Sequence, residues 1–143
     1  MAIMRKKIVS ILALLCLTVT SAWADSSGSC GDGLTWSLSK GILTIMYSGS
    51  GTGLMTNYSL PTDVPWYYNR KDITHITIET GVTRIGKNAF FQCSNASLTT
   101  ISIPASVWYI GANAFQECSN LTSISIPNSE RTIIGESAFY VCI

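Results

Sequence analysis

Three cysteines recur at a nearly constant spacing, and their thiols are the first groups in the sequence that suggest chemistry. Cys93, Cys118 and Cys142 follow one another at intervals of 24 to 25 residues, so successive structural units would carry them. No C-x-x-C pair accompanies them and the sequence has a single histidine, which disfavours a metal site. Free cysteine is among the most buried residue types, so a ladder of buried thiols is favoured. A disulfide between neighbouring units is the alternative, and the state of Cys30 is equally open.

Two further patterns invite a catalytic or nucleotide-binding interpretation. His75 lies near Asp72 in a serine-rich sequence, which suggests a hydrolytic triad, but alternation places His75 on a flat strand surface without an oxyanion pocket. The glycine-rich stretch 49–53 lacks the following Lys-Ser/Thr and the helix that a phosphate-binding loop requires. We therefore expect no catalytic residue, no cofactor and no metal.

The aromatic residues around position 66 have two interpretations. Tyr58, Trp66, Tyr67 and Tyr68 are close together in the sequence, and exposed rings of this kind stack on the faces of sugars. The favoured interpretation is that Trp66 and one tyrosine fill the junction between an N-terminal segment and the repeats, because aromatic side chains dominate core burial. Tyr58, Tyr67 and Tyr68 stay candidate aromatic contacts for a ligand.

Residues 1–24 predict export from the cell. Positions 5–7 are basic, positions 8–19 are almost uniformly apolar, and Ala-Trp-Ala at 22–24 fits a signal-peptidase site. The apolar stretch is shorter than the roughly 20 residues that span a bilayer. The mature chain is predicted to begin at Asp25, to be secreted or held at the cell surface, and to have no membrane insertion after the signal is removed.

The charge of the chain argues against two classes of partner. The sequence has 9 basic and 8 acidic residues, and three of the basic ones leave with the signal, so the mature part has 6 minus 8, or −2. Such a balance gives no electrostatic footprint for nucleic acid and does not favour anionic membrane surfaces. Charged residues make up only 12% of the chain, against roughly 25% in ordinary globular domains.

The elements that position these residues are three repeats, at 73–97, 98–120 and 121–143. The repeats align a glycine, a phenylalanine and a cysteine in each unit: Gly86, Gly111 and Gly135; Phe90, Phe115 and Phe139; Cys93, Cys118 and Cys142. Isoleucines alternate with Thr or Ser at the start of each unit, which indicates a half-buried strand. Pro104 and Pro127 end the second and third strands, and the glycine is expected to supply a tight bend. One unit cannot bury its own apolar face, so the coils must stack, with their strands in a small parallel sheet.

The repeats resemble the BspA-like leucine-rich repeats of bacterial surface proteins, with the pattern L-T-x-I-x-I-P-x-x-V-x-x-I-G-x-x-A-F-x-x-C. The resemblance covers residues 73–142 and extends upstream to segments at 30–36, 41–45, 51–55 and 65–67. It implies a mostly β solenoid with turn or 3-10 returns. It also implies cell-surface adhesion, with a host or bacterial surface protein or glycan as partner. The third unit departs from the pattern, because Glu130 and Arg131 stand near the usual valine.

Residues 25–72 are predicted to form an N-terminal β cap. Apolar residues alternate with polar ones over 34–38 and 43–47, and Ser-Lys-Gly at 39–41 joins the two runs, which is typical of a β-hairpin. A hairpin with one apolar face needs a cover, and the first repeat is expected to provide it.

Function is expected to depend on the exposed face of the repeat strands, which is hydroxyl-rich and nearly uncharged. The predicted binding face consists of His75, Thr77, Glu79, Thr100, Ser102, Ser123 and Ser125, with Pro104 and Pro127 at its margin. The alternatives are a purely structural segment of a longer stalk and, more remotely, a carbohydrate-binding module that uses the Tyr/Trp cluster. An uncovered last strand is a template for pairing, so end-to-end self-association is also expected.

Overall fold

The computed structural model describes residues 25–127 and 130–142, so the predicted signal lies outside the described residues. Among the described residues, the regular secondary structure is almost entirely β, with two short 3-10 helices at Pro61–Asp63 and Tyr67–Asn69. The nine strands in these ranges are β1 Ser26–Gly31, β2 Leu34–Ser39, β3 Ile42–Tyr47, β4 His75–Ile78, β5 Arg84–Ile85, β6 Thr100–Ser102, β7 Tyr109–Ile110, β8 Ser123–Ser125 and β9 Ile133–Ile134. No helix in the described ranges is long and apolar enough to cross a membrane.

The predicted hairpin in the N-terminal segment is confirmed. Strands β2 and β3 pair antiparallel, with Trp36 opposite Ile45. Lys40 and Gly41 join them with φ values of 48° and 79°, the left-handed pair that a two-residue hairpin turn favours. Strand β1, whose Ser/Gly-rich sequence carries no apolar alternation, was not predicted and pairs antiparallel with β2.

The first repeat joins the cap by extending its sheet. Strand β4 pairs parallel with β3, so that His75 lies opposite Ile42 and Thr77 opposite Thr44. The four strands therefore form one sheet in the order β1-β2-β3-β4. The cap and the first coil share backbone hydrogen bonds as well as apolar contacts.

The predicted parallel ladder of repeat strands is interrupted after the first coil. Strand β6 pairs with β8, whereas β4 and β6 are in contact but belong to different sheets. The segment before β6 closes on itself, because the Thr99 amide donates to the Ser97 carbonyl (3.1 Å) and the Leu98 amide to that of Asn95 (3.0 Å). At the start of β8, in contrast, the amides of Thr122 and Ser123 both donate to Thr99 of the preceding coil. The local turn thus uses the Thr99 amide, which would otherwise begin a ladder to β4.

A second parallel ladder, which the sequence analysis missed, runs along another side of the coils. It joins β5, β7 and β9, with Arg84 opposite Tyr109 and Tyr109 opposite Ile133. An isolated bridge from Leu54 to Arg84 continues it into the cap. These strands have only two residues each, too few to show a period of alternation.

The predicted tight turn begins at each repeat glycine, whose carbonyl accepts from the amide three residues later, but the glycine itself does not have left-handed backbone. Left-handed backbone is found instead at Asn88, Asn113 and Ser137, and again four residues later in each coil. Gly111 is needed because a Cβ atom there would lie 2.5 Å from the Lys87 amide nitrogen of the preceding coil. Gly135 approaches Ala112 in the same way, at 2.6 Å. The glycines therefore permit the close stacking of coils.

Stacked aromatic rings form the centre of the core. Trp66 stacks on Phe90 with centroids 5.8 Å apart, Phe90 on Phe115 at 5.1 Å, and Phe115 on Phe139 at 5.4 Å. Trp66, Phe90 and Phe115 are at most 1% exposed, whereas Phe139 is half-buried. The ladder links the cap to all three coils, as expected from one phenylalanine per repeat.

Candidate interaction surface

The seven residues of the predicted binding face are all exposed on the outer side of β4, β6 and β8 or directly after β4. Parallel pairing of β6 with β8 places Thr100 beside Ser123 and Ser102 beside Ser125. The isoleucines between them point inward, with Ile101 buried and Ile124 half-buried. Two rows of hydroxyl groups therefore lie next to each other on neighbouring strands.

The first coil contributes to this face in a different way from the one predicted. The ladder neighbours of His75 and Thr77 are Ile42 and Thr44 of the cap, not Thr100 and Ser102. Ile42 is 46% exposed, so the face gains an apolar residue at the cap. The Glu79 carboxylate accepts a hydrogen bond from the Tyr47 amide at 3.2 Å, which fixes it against the cap.

The described residues assemble neither a catalytic triad nor a metal cluster. Nδ1 of His75 is 3.0 Å from the hydroxyl of its neighbour Thr74, and no contact joins it to Asp72 within the part of the chain that the structure describes. No group of three or more His, Cys, Asp or Glu side chains within 25–127 and 130–142 is arranged to hold a metal ion.

The aromatic candidates separate into a buried and an exposed group. Tyr58 is 7% exposed and packs edge-on against Trp66 at 6.2 Å, so its prediction as a ligand contact is wrong. Burial, together with the nearby Cys30, raises the pKa of Tyr58 well above its usual range. Trp66 is also buried and donates from Nε1 to the Ala89 carbonyl at 2.8 Å. Tyr68 is 80% exposed and Tyr67 is half-buried, so these two retain accessible ring area.

The cysteines stack as free thiols. The Cys118 Sγ donates to the Phe90 carbonyl at 3.1 Å, and the Cys142 Sγ donates to the Phe115 carbonyl at 3.0 Å. Cys93 and Cys30 are also buried free cysteines, and neither forms a disulfide. Burial raises the pKa of Cys118 to about 12, with the neighbouring Cys142 contributing further. These thiols stay protonated near neutral pH, which makes them poor nucleophiles and poor metal ligands.

Comparison with known proteins agrees with this repeated architecture. A family model described as BspA type leucine-rich repeat region matches residues 65–143, in six copies. The chain belongs to this family. The BspA-type chain is also similar to a solved leucine-rich repeat protein from Eubacterium ventriosum ATCC 27560, with 29% sequence identity and a TM-score of 0.64. The similarity covers 78% of this chain but 28% of that one. No curated protein gives a significant match.

The BspA-type coils carry a second polar surface, which the sequence analysis did not identify. Each residue directly before a repeat cysteine has left-handed backbone: Gln92 with φ 56°, Glu117 with 59° and Val141 with 59°. Stacking of the coils places these positions in one column beside a groove. Their side chains differ in type, so no shared motif marks them. Alignment of the repeats on the cysteines was the one available signal.

Proposed function

We propose that this BspA-type chain is a non-catalytic binding module, secreted or displayed at the cell surface, that contacts protein or glycan partners with its strand face. The family and the structural neighbour identify it as a repeat protein of the kind that mediates interactions. The observation that carries the proposal is the pair of adjacent hydroxyl rows, Thr100 with Ser123 and Ser102 with Ser125, on the exposed side of paired strands.

This face favours binding through many weak contacts. A net contribution of about 0.5–1.5 kcal/mol per hydrogen bond means that several hydroxyls must act together. The near absence of charge on the face gives little long-range attraction, so binding should depend only slightly on ionic strength. His75, Thr77 and the exposed Ile42 extend the face toward the cap.

A binding screen with matched variants tests the proposal. The mature chain would be offered to matrix proteins, whole bacterial cells and a glycan array, and each interaction found would be remeasured with Thr77→Arg and Ser102→Arg. Both side chains are exposed, so the substitutions should leave the fold intact. The matched control is Thr62→Arg, an exposed threonine in the first 3-10 helix.

We expect the two face variants to lose at least tenfold in affinity and the control to bind like the unchanged chain. Equal binding by all three would exclude the strand face as the contact surface. Absence of any partner in the screen would favour the competing hypothesis, in which the coils have a purely structural role.

A further inference from the structure

A groove on the return segments, away from the strand face, has the composition of a small polar binding site. It has a volume of about 300 Å³ and is lined by Lys71, Gln92, Ser94, Glu117, Ser119 and Val141. The two coils contribute equivalent positions, since Gln92 and Ser94 flank Cys93 as Glu117 and Ser119 flank Cys118.

The backbone that carries these side chains is held by hydrogen bonds between coils. The Gln92 amide donates to the Gln116 carbonyl and the Glu117 amide donates to the Tyr140 carbonyl, each at 2.8 Å. Both residues have left-handed φ. The side chains therefore project from a rigid hydrogen-bonded ladder, and a specific site requires such a support.

Contacts with neighbouring residues orient the amide and the carboxylate of the groove. Gln92 donates from Nε2 to Oε2 of Glu117 at 2.6 Å and accepts at Oε1 from Nη2 of Arg70 at 3.3 Å. Arg70 in turn donates to the Tyr67 carbonyl at 2.8 Å and lies 3.8 Å from the centre of the Tyr67 ring. This chain of contacts leaves Oε1 of Glu117 and the second Nε2 hydrogen of Gln92 for a ligand.

The remaining donors and acceptors indicate the class of ligand. Lys71 lines the groove, and no ion pair joins it to Glu117 in the part of the chain that the structure describes. A bound phosphate would face the Glu117 carboxylate, and a metal ion would face Lys71. A ligand that combines hydroxyl groups with carbon surface matches the lining better, because Val141 and the side-chain carbons of the other residues add apolar surface to the polar groups. The adjacent hydroxyl groups of a sugar ring each donate and accept hydrogen bonds. They can therefore pair with all the polar groups of the lining residues, which are a carboxylate, an amide, an ammonium and two serine hydroxyls.

We propose that this groove binds one saccharide unit of a glycan, with Glu117 and Gln92 contacting adjacent ring hydroxyls. Its volume is at the lower limit for small-molecule sites, which matches a single sugar ring better than a larger ligand. The site is separate from the strand face, and its occupancy does not depend on the function proposed for that face.

Titration of the isotope-labelled mature chain with glucose, galactose, mannose and N-acetylglucosamine at millimolar concentrations tests the groove. We expect at least one sugar to shift the amide resonances of residues 92–94 and 117–119. Glu117→Gln should weaken binding of that sugar at least tenfold, because a neutral amide accepts hydrogen bonds from hydroxyl groups less strongly than a carboxylate does. Glu136→Gln is the matched control, since Glu136 is exposed in the third coil and does not line the groove.

The variants also separate this proposal from the one for the strand face. Ser102→Arg should leave sugar binding unchanged, and Glu117→Gln should leave binding of a strand-face partner unchanged. The saccharide proposal is overturned if none of the four sugars shifts the groove amides, if the shifts cluster on β6 and β8, or if Glu117→Gln and Glu136→Gln bind equally. A thermal melt of each variant would show that any loss of binding does not come from unfolding.

Discussion

Replacement of Phe115 tests whether the aromatic ladder holds the coils together. Phe115 is fully buried and stacks on Phe90 at 5.1 Å and on Phe139 at 5.4 Å. Truncation of a buried phenylalanine to alanine costs about 3–5 kcal/mol, from lost apolar transfer and from the cavity that remains. We therefore expect Phe115→Ala to lower the free energy of unfolding by that amount.

Two further variants divide this cost into its parts. Phe115→Leu keeps an apolar side chain but removes two ring pairs, each worth about 0.5–1.5 kcal/mol, so it should cost about 1–3 kcal/mol. Phe139→Ala should cost less than Phe115→Ala, because Phe139 is half-buried and stacks on one ring in the described part of the chain.

Urea denaturation followed by circular dichroism and tryptophan fluorescence would measure these differences. Ser102→Ala is the control, since an exposed hydroxyl should change stability by no more than about 0.5 kcal/mol. Equal losses for Phe115→Ala and Ser102→Ala would refute the ladder. If Phe139→Ala lowered the free energy of unfolding as much as Phe115→Ala, the inference that burial decreases along the ladder toward Phe139 would be refuted.

Gly111→Ala should lower the free energy of unfolding in urea melts by about 1–3 kcal/mol through overpacking against Lys87. An alanine also reduces the number of unfolded conformations, which by itself would stabilise the protein. A more stable variant would therefore contradict the clash. The Cys118 thiol has a pKa raised from 9.0 to about 12, so its contribution to stability is complete below pH 9 and is lost as the pH rises toward 12. Urea midpoints should fall less steeply over that window in Cys118→Ala, and parallel curves would exclude this thiol as a cause. Mass spectrometry of the exported protein should find Asp25 as the first residue, and retention of residues 1–24 would contradict the predicted signal. Residues 25–143 made alone should self-associate in sedimentation experiments through the 57% exposed Ile133 and the 48% exposed Ile134, and Ile134→Lys should shift them toward monomer; a monomer at every concentration would contradict this.

The sequence alone was sufficient for the features that repeat locally. Alternation of isoleucine with Ser or Thr predicted which strand residues face outward, because side chains on a strand point to opposite faces in turn. One phenylalanine and one cysteine per unit predicted a buried column of each type, since stacked coils place equivalent positions above one another. The cap hairpin was predictable for the same reason, from its own alternation and its Lys-Gly turn.

Tertiary structure decided every feature that depends on which segments come together. Strand β4 pairs with the cap and not with β6, because the turn at 95–99 uses its own amides. Tyr58 is buried while Tyr68 is 80% exposed, although both lie in one aromatic-rich segment, because Trp66 packs against only one of them. The groove likewise exists only after stacking, which brings Gln92 and Glu117 within 2.6 Å from positions 25 residues apart. These features depend on residues that differ from one repeat to the next or lie in the cap, so the repeat period alone does not predict them.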